Sequence, residues 1–290
     1  MAAVTDVTIP PPPARRRAIH RRVSIVGFGA VGVLLLIVAA VALGPRLWGI
    51  DPLEQRIEQR LETPSREHPL GTDQFGRDIL ARLLTGGRWT LVGAAAVCLG
   101  VSLIGFVAGA TAASGSRVTD TALGRLIEAL MALPGLVTAL ALTAVLGPSF
   151  RNLLIALVIT NWPWYARAYR SIILKERAAP YVEGATALGA GHRRIITRHV
   201  LPNAVGPAIV LATTNLGNVI LGLAALSFLG LGTQPPTPEW GVMINDARPY
   251  FQREPWQMIA PGLCIVVTVL CVNLAGDALR DALDPRIGRG

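Results

Sequence analysis

Six stretches of this 290-residue chain run for fifteen residues or more without Asp, Glu, Lys or Arg: 23–43, 89–116, 129–150, 152–166, 199–238 and 255–276. A helix needs about 20 apolar residues to cross a hydrocarbon core of about 30 Å. Four of the stretches fit a single crossing. The stretch 152–166 is short, and 199–238 is long enough to raise the question of two helices. Composition agrees with the pattern. Hydrophobic residues make up 52% of the chain and charged residues only 16%, against about 25% in soluble domains, and mean hydropathy is +0.49. A soluble enzyme, a disordered chain and a disulfide-stapled secreted module are poor fits. The expected fold is an all-α membrane protein.

Charge distribution settles the number of crossings. With six spans, the segments 1–22, 117–128, 167–198 and 277–290 lie on one side and hold 17 of the 27 Lys and Arg residues. Basic residues favour the cytoplasmic side, so both termini are expected in the cytoplasm. Dropping the short fourth span would move seven basic residues outside, and splitting the fifth would put the basic C-terminus there. The expected organisation is a basic, Pro-rich tail (1–22), a first span that is an uncleaved anchor (23–43), an extracytoplasmic segment (44–88), a core of five spans (89–276) and a second cytoplasmic tail (277–290). The 21 uncharged residues of the first span exceed a signal-peptide core of about 7–15. Pro10 to Pro13 form an extended, solvated stretch.

The connections carry more detail. In 68–91, Phe75, Ile79 and Leu83 recur every four residues, as do Leu80 and Leu84, so the spacing predicts an amphipathic helix capped by Thr72 or Asp73. Asp73, Arg77 and Asp78 could make a carboxylate site, but an i,i+4 pair on a solvated face is the commoner use of such spacing. In the inner loop 167–203, Ala185 and Gly189 lie four apart and are expected on one face of a short helix. Small residues there let another protein approach. Arg193, Arg194 and Arg198 could equally meet anionic headgroups, so docking loop and membrane-surface loop both remain open. Pro202 stands where a new helix can begin. In the outer loop 230–259, Gly230, Gly232, Pro235, Pro236 and Pro238 stop the fifth helix, and Trp240 and Trp256 fit the interfacial aromatic belt. Within the fifth span, Thr213, Thr214, Asn215 and Asn218 are polar at a depth where polarity toward lipid is costly. They are expected either to bond between helices or to line a watered path.

Catalytic and energy-coupling motifs are missing. The sequence has no phosphate-binding loop, no HExxH pair and no GxSxG elbow. Cys98, Cys264 and Cys271 lie in apolar runs without metal or disulfide spacing. No chain of ionisable residues crosses the bilayer, as a proton-driven carrier would need. A membrane enzyme and a self-sufficient carrier or channel are therefore disfavoured.

The segment 181–203 resembles the Glu-Ala-Ala loop of permeases in binding-protein-dependent ABC importers. Glu183, Ala185, Gly189, Leu201 and Pro202 match, and Gly184 replaces the first alanine. The segments 69–88, 226–241 and 255–286 are similar to the dipeptide/oligopeptide/nickel branch, in particular its second permease subunit. The resemblance implies the type I importer architecture and a coupling loop at about 178–203, whose docking set would be Glu183, Gly184, Ala185, Leu188, Gly189, Ala190, Leu201 and Pro202. It implies a bacterial plasma-membrane subunit, non-catalytic and without a cofactor of its own. The partners implied are a second, homologous permease, two cytoplasmic ATPases that bind ATP and Mg, and an extracytoplasmic binding protein. The implied cargo is peptide, with nickel chelates, glutathione or haem as alternatives. For Thr214, Asn215 and Asn218 the translocation path and bonding between helices both stay open.

Overall fold

A computed structural model describes residues 14–283, with side chains from residue 27 on. The stretch 10–13, the side chains of the five N-terminal arginines and residues 284–290 lie outside them. Among the described residues the architecture is all-helical, with only an isolated bridge between Thr72 and Asp78 outside helices and turns. The long helices are α1 (Ala14–Trp48), α2 (Ile79–Ser114), α5 (Phe150–Arg177), α8 (Leu201–Leu226) and α10 (Trp256–Leu283). Shorter ones are α3 (Arg117–Met131), α4 (Gly135–Leu146), α6 (Pro180–Ala187), α7 (His192–Ile195) and α9 (Trp240–Ala247).

Among the described residues four helical paths are long and apolar enough to cross a membrane, α5 not being one of them, and the bent pair α3–α4 could make a fifth. The third uncharged run is not one straight helix. It breaks at residues 132–134, where α3 and α4 meet at 83°. Pro134 is extended (φ −61°, ψ 113°) and starts α4, and a proline drives its preceding residue out of helical backbone. The short fourth run lies inside a 28-residue helix, α5, whose C-terminal half carries Arg167, Arg170, Lys175 and Arg177. The long fifth run is a single helical path, His192–Leu231. Within it α8 begins at Leu201, with Pro202 in its first turn as the sequence suggests, but the path is continuous. A π turn over Ile196–Val200 leads into α8, with the Leu201 N–H reaching back to the Ile196 carbonyl. This wider turn accommodates the proline without breaking the path.

The expected outer amphipathic helix is also revised. Its helical part is the start of α2, which runs unbroken for 36 residues. The cap is Asp78, whose carboxylate accepts from the Ala81 N–H at 2.6 Å, not Thr72 or Asp73. Residues 68–78 instead form a compact turn. Gly76 has φ +71°, and a Cβ there would collide with the Arg56 carbonyl oxygen, so only glycine fits. Asp73 and Arg77 are not on a solvated face. Their side chains are 8% and 4% exposed and pair at 2.7 Å, with Arg82 at 3.3 Å from the same carboxylate and 3.8 Å from Asp246. His68 and Trp48 both bond Asp78, and Gln257 of α10 donates to the Thr72 carbonyl. This polar network ties the outer segment to α2, α9 and α10. Burial pushes the Asp246 carboxyl above the usual range, against the opposing pull of Arg82.

Trp240 is a core residue, 1% exposed, with its indole N–H bonded to the Leu83 carbonyl at 2.9 Å. It does not belong to an aromatic belt, whereas Trp256 is 50% exposed. Beside it Glu239 is fully buried. It accepts from the Thr90 hydroxyl at 2.6 Å and from the Gly241 and Val242 N–H groups, capping α9. Burial holds its carboxyl above the usual value. The core itself lies where α2, α5 and α8 meet, around Val97, Val101, Leu153, Ile220 and Leu223. Glycines let α2 and α5 approach closely: a Cβ on Gly105 would sit 2.7 Å from the Tyr165 Cβ, and one on Gly109 2.7 Å from the Ala166 carbonyl oxygen.

Candidate functional site

Two regions stand out, a loop at one end of the bundle and a cleft between its helices. The loop begins two residues after α5. Pro180 opens α6, a first-turn position where its missing N–H costs nothing. The helix closes in a Schellman motif: Gly189 donates to the Thr186 carbonyl at 2.9 Å and Ala190 to the Ala185 carbonyl at 3.1 Å. Gly189 supplies the left-handed residue this motif needs, with φ +79°. It therefore lies beyond the helix end and shares no helical face with Ala185.

The loop is one-sided. Val182 is buried with Ile195, Ile196 and Val200 against Ile173 of α5 and Ala113 of α2, and Ala185, Ala190 and Leu201 pack on the same cluster. The small side chain of Ala185 thus serves packing within this chain. Glu183, Gly184 and Gly189 are exposed, as is Pro202, and Leu188 is 90% exposed. The tip offers an aliphatic knob, a carboxylate and open glycine backbone.

Basic side chains from the end of α5 and from α7 bond the end of α2. Arg177 donates to the Ala113 carbonyl and His192 Nε2 to the Ser114 carbonyl at 3.2 Å. These are among the last carbonyls of α2, which lack helical partners and carry partial negative charge. A carbonyl only accepts, so His192 carries its proton on Nε2. Tyr181 donates to Glu176 at 3.0 Å. Burial and then that carboxylate keep its phenol above the usual value. Arg193, Arg194, Thr197 and Arg198 line an open basic surface beside the loop.

The cleft, of about 510 Å³, opens between α2, α4, α5 and α8. Asn215 and Asn218 both line it, with Asn161, Trp164 and Tyr165 from α5 across from them. Asn215 donates to the Leu211 carbonyl at 3.0 Å, and Asn218 to the Asn215 side-chain oxygen at 3.3 Å. Thr214 is elsewhere: its hydroxyl bonds back within α8, and its methyl faces Gly276 of α10. Thr213 lines a separate apolar groove of about 450 Å³ between α2 and α8.

Residues 102–289 match the family described as "binding-protein-dependent transport system inner membrane component". The chain belongs to this family. Three relatives are the dipeptide transport system permease of Alkalihalophilus pseudofirmus, the nickel transport system permease of Escherichia coli K12, and the di/tripeptide transport system permease of Pseudomonas aeruginosa. The first is 41% identical over 267 residues, covering 92% of this chain and 86% of the relative. The second is 40% identical over 257 residues, covering 88% and 92%. The third is 42% identical over 270 residues, covering 89% and 88%. The protein is therefore a multi-pass membrane permease subunit of a transport system.

Several residues of these sites escape sequence reasoning. Arg177 and His192 read as ordinary loop charges, because their partners are backbone carbonyls distant in sequence. Asn161 had a visible signal, an amide inside the fourth uncharged run. Gly105 and Gly109 carry the four-residue spacing of close helix packing.

Proposed function

We propose that this permease forms one half of an importer that takes up short peptides into a bacterial cell, driven by ATP hydrolysis in partner subunits. In this reading α1, α2, the bent pair α3–α4, α5, the path α7–α8 and α10 are six crossings of a type I architecture, with both termini cytoplasmic. The segments 44–88 and 232–254 then face outward, toward an extracytoplasmic binding protein. A second, homologous permease completes the path. Two ATPases, which hold ATP and Mg, meet the loop 178–203, and this chain carries no cofactor of its own.

The observation that carries the proposal is the one-sided loop. Its inner face packs on α2 and α5, while Glu183, Gly184, Leu188 and Gly189 point outward, the build expected of an element that receives a push. Leu201 and Pro202 hold the return into α8, and Ala185 and Ala190 seat the loop. Closure of the ATPases would move the loop and the two helices it is fastened to, switching the bundle between two packed arrangements. The peptide cargo is supported by the two relatives named for dipeptides and di/tripeptides. Nickel-chelate import is a second reading, favoured by the relative named for nickel.

The test is a charge on the exposed knob. In a reconstituted complex, Leu188→Asp should abolish transport and binding-protein-stimulated ATP hydrolysis while the two permeases still copurify. Full transport by this variant would refute docking through the loop.

A further inference from the structure

Two surface features take no part in the loop's tip or the cleft. One is basic: Arg193, Arg194 and Arg198 are all exposed, and among the described residues none of them forms an ion pair. The other is the apolar groove of about 450 Å³ between α2 and α8. They lie on one seam. The groove runs from Val107 and Val205 at one end to Cys98 and Leu216 at the other, a register fixed where Cys98 donates to the Ala212 carbonyl at 3.5 Å. On the α8 side, Arg198 stands seven residues before Val205 on a continuous helical path, and both are exposed. Residues seven apart share a helix face. On the α2 side, seven residues separate Val107 from Ser114, whose carbonyl accepts from His192 next to the arginines. Both walls of the groove therefore lead to the basic end, about 10 Å away.

We infer that this seam binds an anionic phospholipid, with its phosphate on Arg194 and Arg198 and one acyl chain in the groove. The dimensions match. Val205 to Leu216 is eleven residues, about 16 Å of helix, against about 15 Å for the hydrocarbon of one leaflet. The arginines then fall beyond the hydrocarbon edge, from where long basic side chains reach the phosphate layer. None of the residues lining the groove is charged. The Cys98 thiol and the Thr213 hydroxyl are spent on carbonyls of α8, those of Ala212 and Ile209. The wall thus offers little to a polar ligand and a long apolar surface to a chain. Charge selects the headgroup: free guanidinium groups favour an anion over a zwitterion and hold phosphate through paired N–H bonds. A helix of another subunit would fill the groove and leave the arginines unneutralised, whereas a soluble partner would meet the arginines and leave the groove empty. An anionic lipid uses both. The inference needs this end of the bundle at a membrane surface, as the permease reading places it, and depends on neither cargo nor ATP.

The test is native mass spectrometry of the full complex, taken from nanodiscs that hold equal amounts of phosphatidylglycerol and phosphatidylcholine with the same chains. Wild type should retain phosphatidylglycerol selectively. Arg194→Gln combined with Arg198→Gln should lower that selectivity about 25-fold, at about five-fold per arginine. Ile209→Trp, at a half-exposed position of the groove, should release the lipid while both arginines stay in place. Equal retention of the two lipids by wild type, or selective retention unchanged in both variants, overturns the site. Chain-free glycerol phosphate that displaces the lipid as well as phosphatidylglycerol does overturns the groove's part in it. Loss of the second permease with Ile209→Trp, or of the ATPases with the arginine pair, while the lipid stays bound, assigns the surface to that partner and overturns the lipid site. The readout is indifferent to which membrane face the loop occupies, which thiol labelling at position 197 decides separately.

Discussion

Two glycines five residues apart in the inner loop should respond oppositely to the same substitution. Neither Gly184 nor Gly189 has any atom within 4 Å of where a Cβ would stand, so steric crowding cannot separate them. Backbone conformation can. Gly184 lies inside α6, where alanine is preferred to glycine by about 0.5–1 kcal/mol. Gly189 sits at φ +79°, where a side chain costs roughly 1–2 kcal/mol. Gly184→Ala should therefore tighten the loop and Gly189→Ala loosen its end, a spread of roughly 1.5–3 kcal/mol. The amides of Gly189 and Ala190 report it directly, since their bonds to Thr186 and Ala185 close the helix. Hydrogen exchange on the complex in nanodiscs should show segment 188–190 opening roughly 5–30-fold faster with alanine at 189, at 1.36 kcal/mol per decade. Asparagine at 189 should be milder, because it tolerates the left-handed region. Unchanged protection in Gly189→Ala, or faster opening in Gly184→Ala, would refute the assignment of Gly189 as the helix stop.

Cysteines placed at Ser65 and Gln234, both exposed, should react with an impermeant thiol reagent in intact cells, and one at Thr197 should not. Labelling at 197 would overturn the six-crossing arrangement. Arg77→Met should lower stability by about 3–5 kcal/mol, as expected for a broken buried pair, and not the 0–1 kcal/mol of a surface pair. The thermal inactivation midpoint of the complex distinguishes the two. Because burial raises the Glu239 carboxyl, the folded chain holds that proton more tightly than the unfolded chain. Its contribution to stability then falls as pH rises through the ordinary Glu value of 4.5 toward the raised one. Glu239→Gln, whose amide can donate to Thr90 and accept from the α9 N–H groups, should flatten that slope in melts taken across the range.

The limits of sequence reasoning follow from how far apart the deciding partners lie. The absence of charge marks where long helices run, because that signal is local and continuous. It misses the break at Pro134, since an apolar run hides a bend that a single ring imposes. The spacing pointed to Thr72 or Asp73 as the cap, whereas the turn around Gly76, closed against the Arg56 backbone, moves the helix start to Asp78. Asp73 and Arg77 look like a surface pair until Arg82 and Asp246 arrive from α2 and α9 to enclose them. Ala185 and Gly189 were spaced as if a helix continued between them, whereas the glycine is what ends it. In the cleft, Asn215 and Asn218 could be recognised by depth and spacing. The other wall, from α5, could not be placed opposite them without the packing of α5 on α8.

The glycine-lined approach of α2 to α5 has a mechanical consequence. The two helices touch along their length, from Gly93 against Phe150 to Gly109 against Ala166, too closely to slide past one another. A motion of one would carry the other, as in a single beam. One end is joined to α6 by a two-residue link, residues 178–179, and bonded to α7 through His192 on the Ser114 carbonyl, while the other end is anchored in the Asp73, Arg82 and Glu239 bonds. At 1.5 Å per residue, the 36 residues of α2 make that beam about 54 Å long. Rocking it by about 10° about one end would carry the other about 9 Å. With the end held by Asp73, Arg82 and Glu239 as the pivot, a displacement of that size at the loop would amount to only about 10° of tilt in the helix pair.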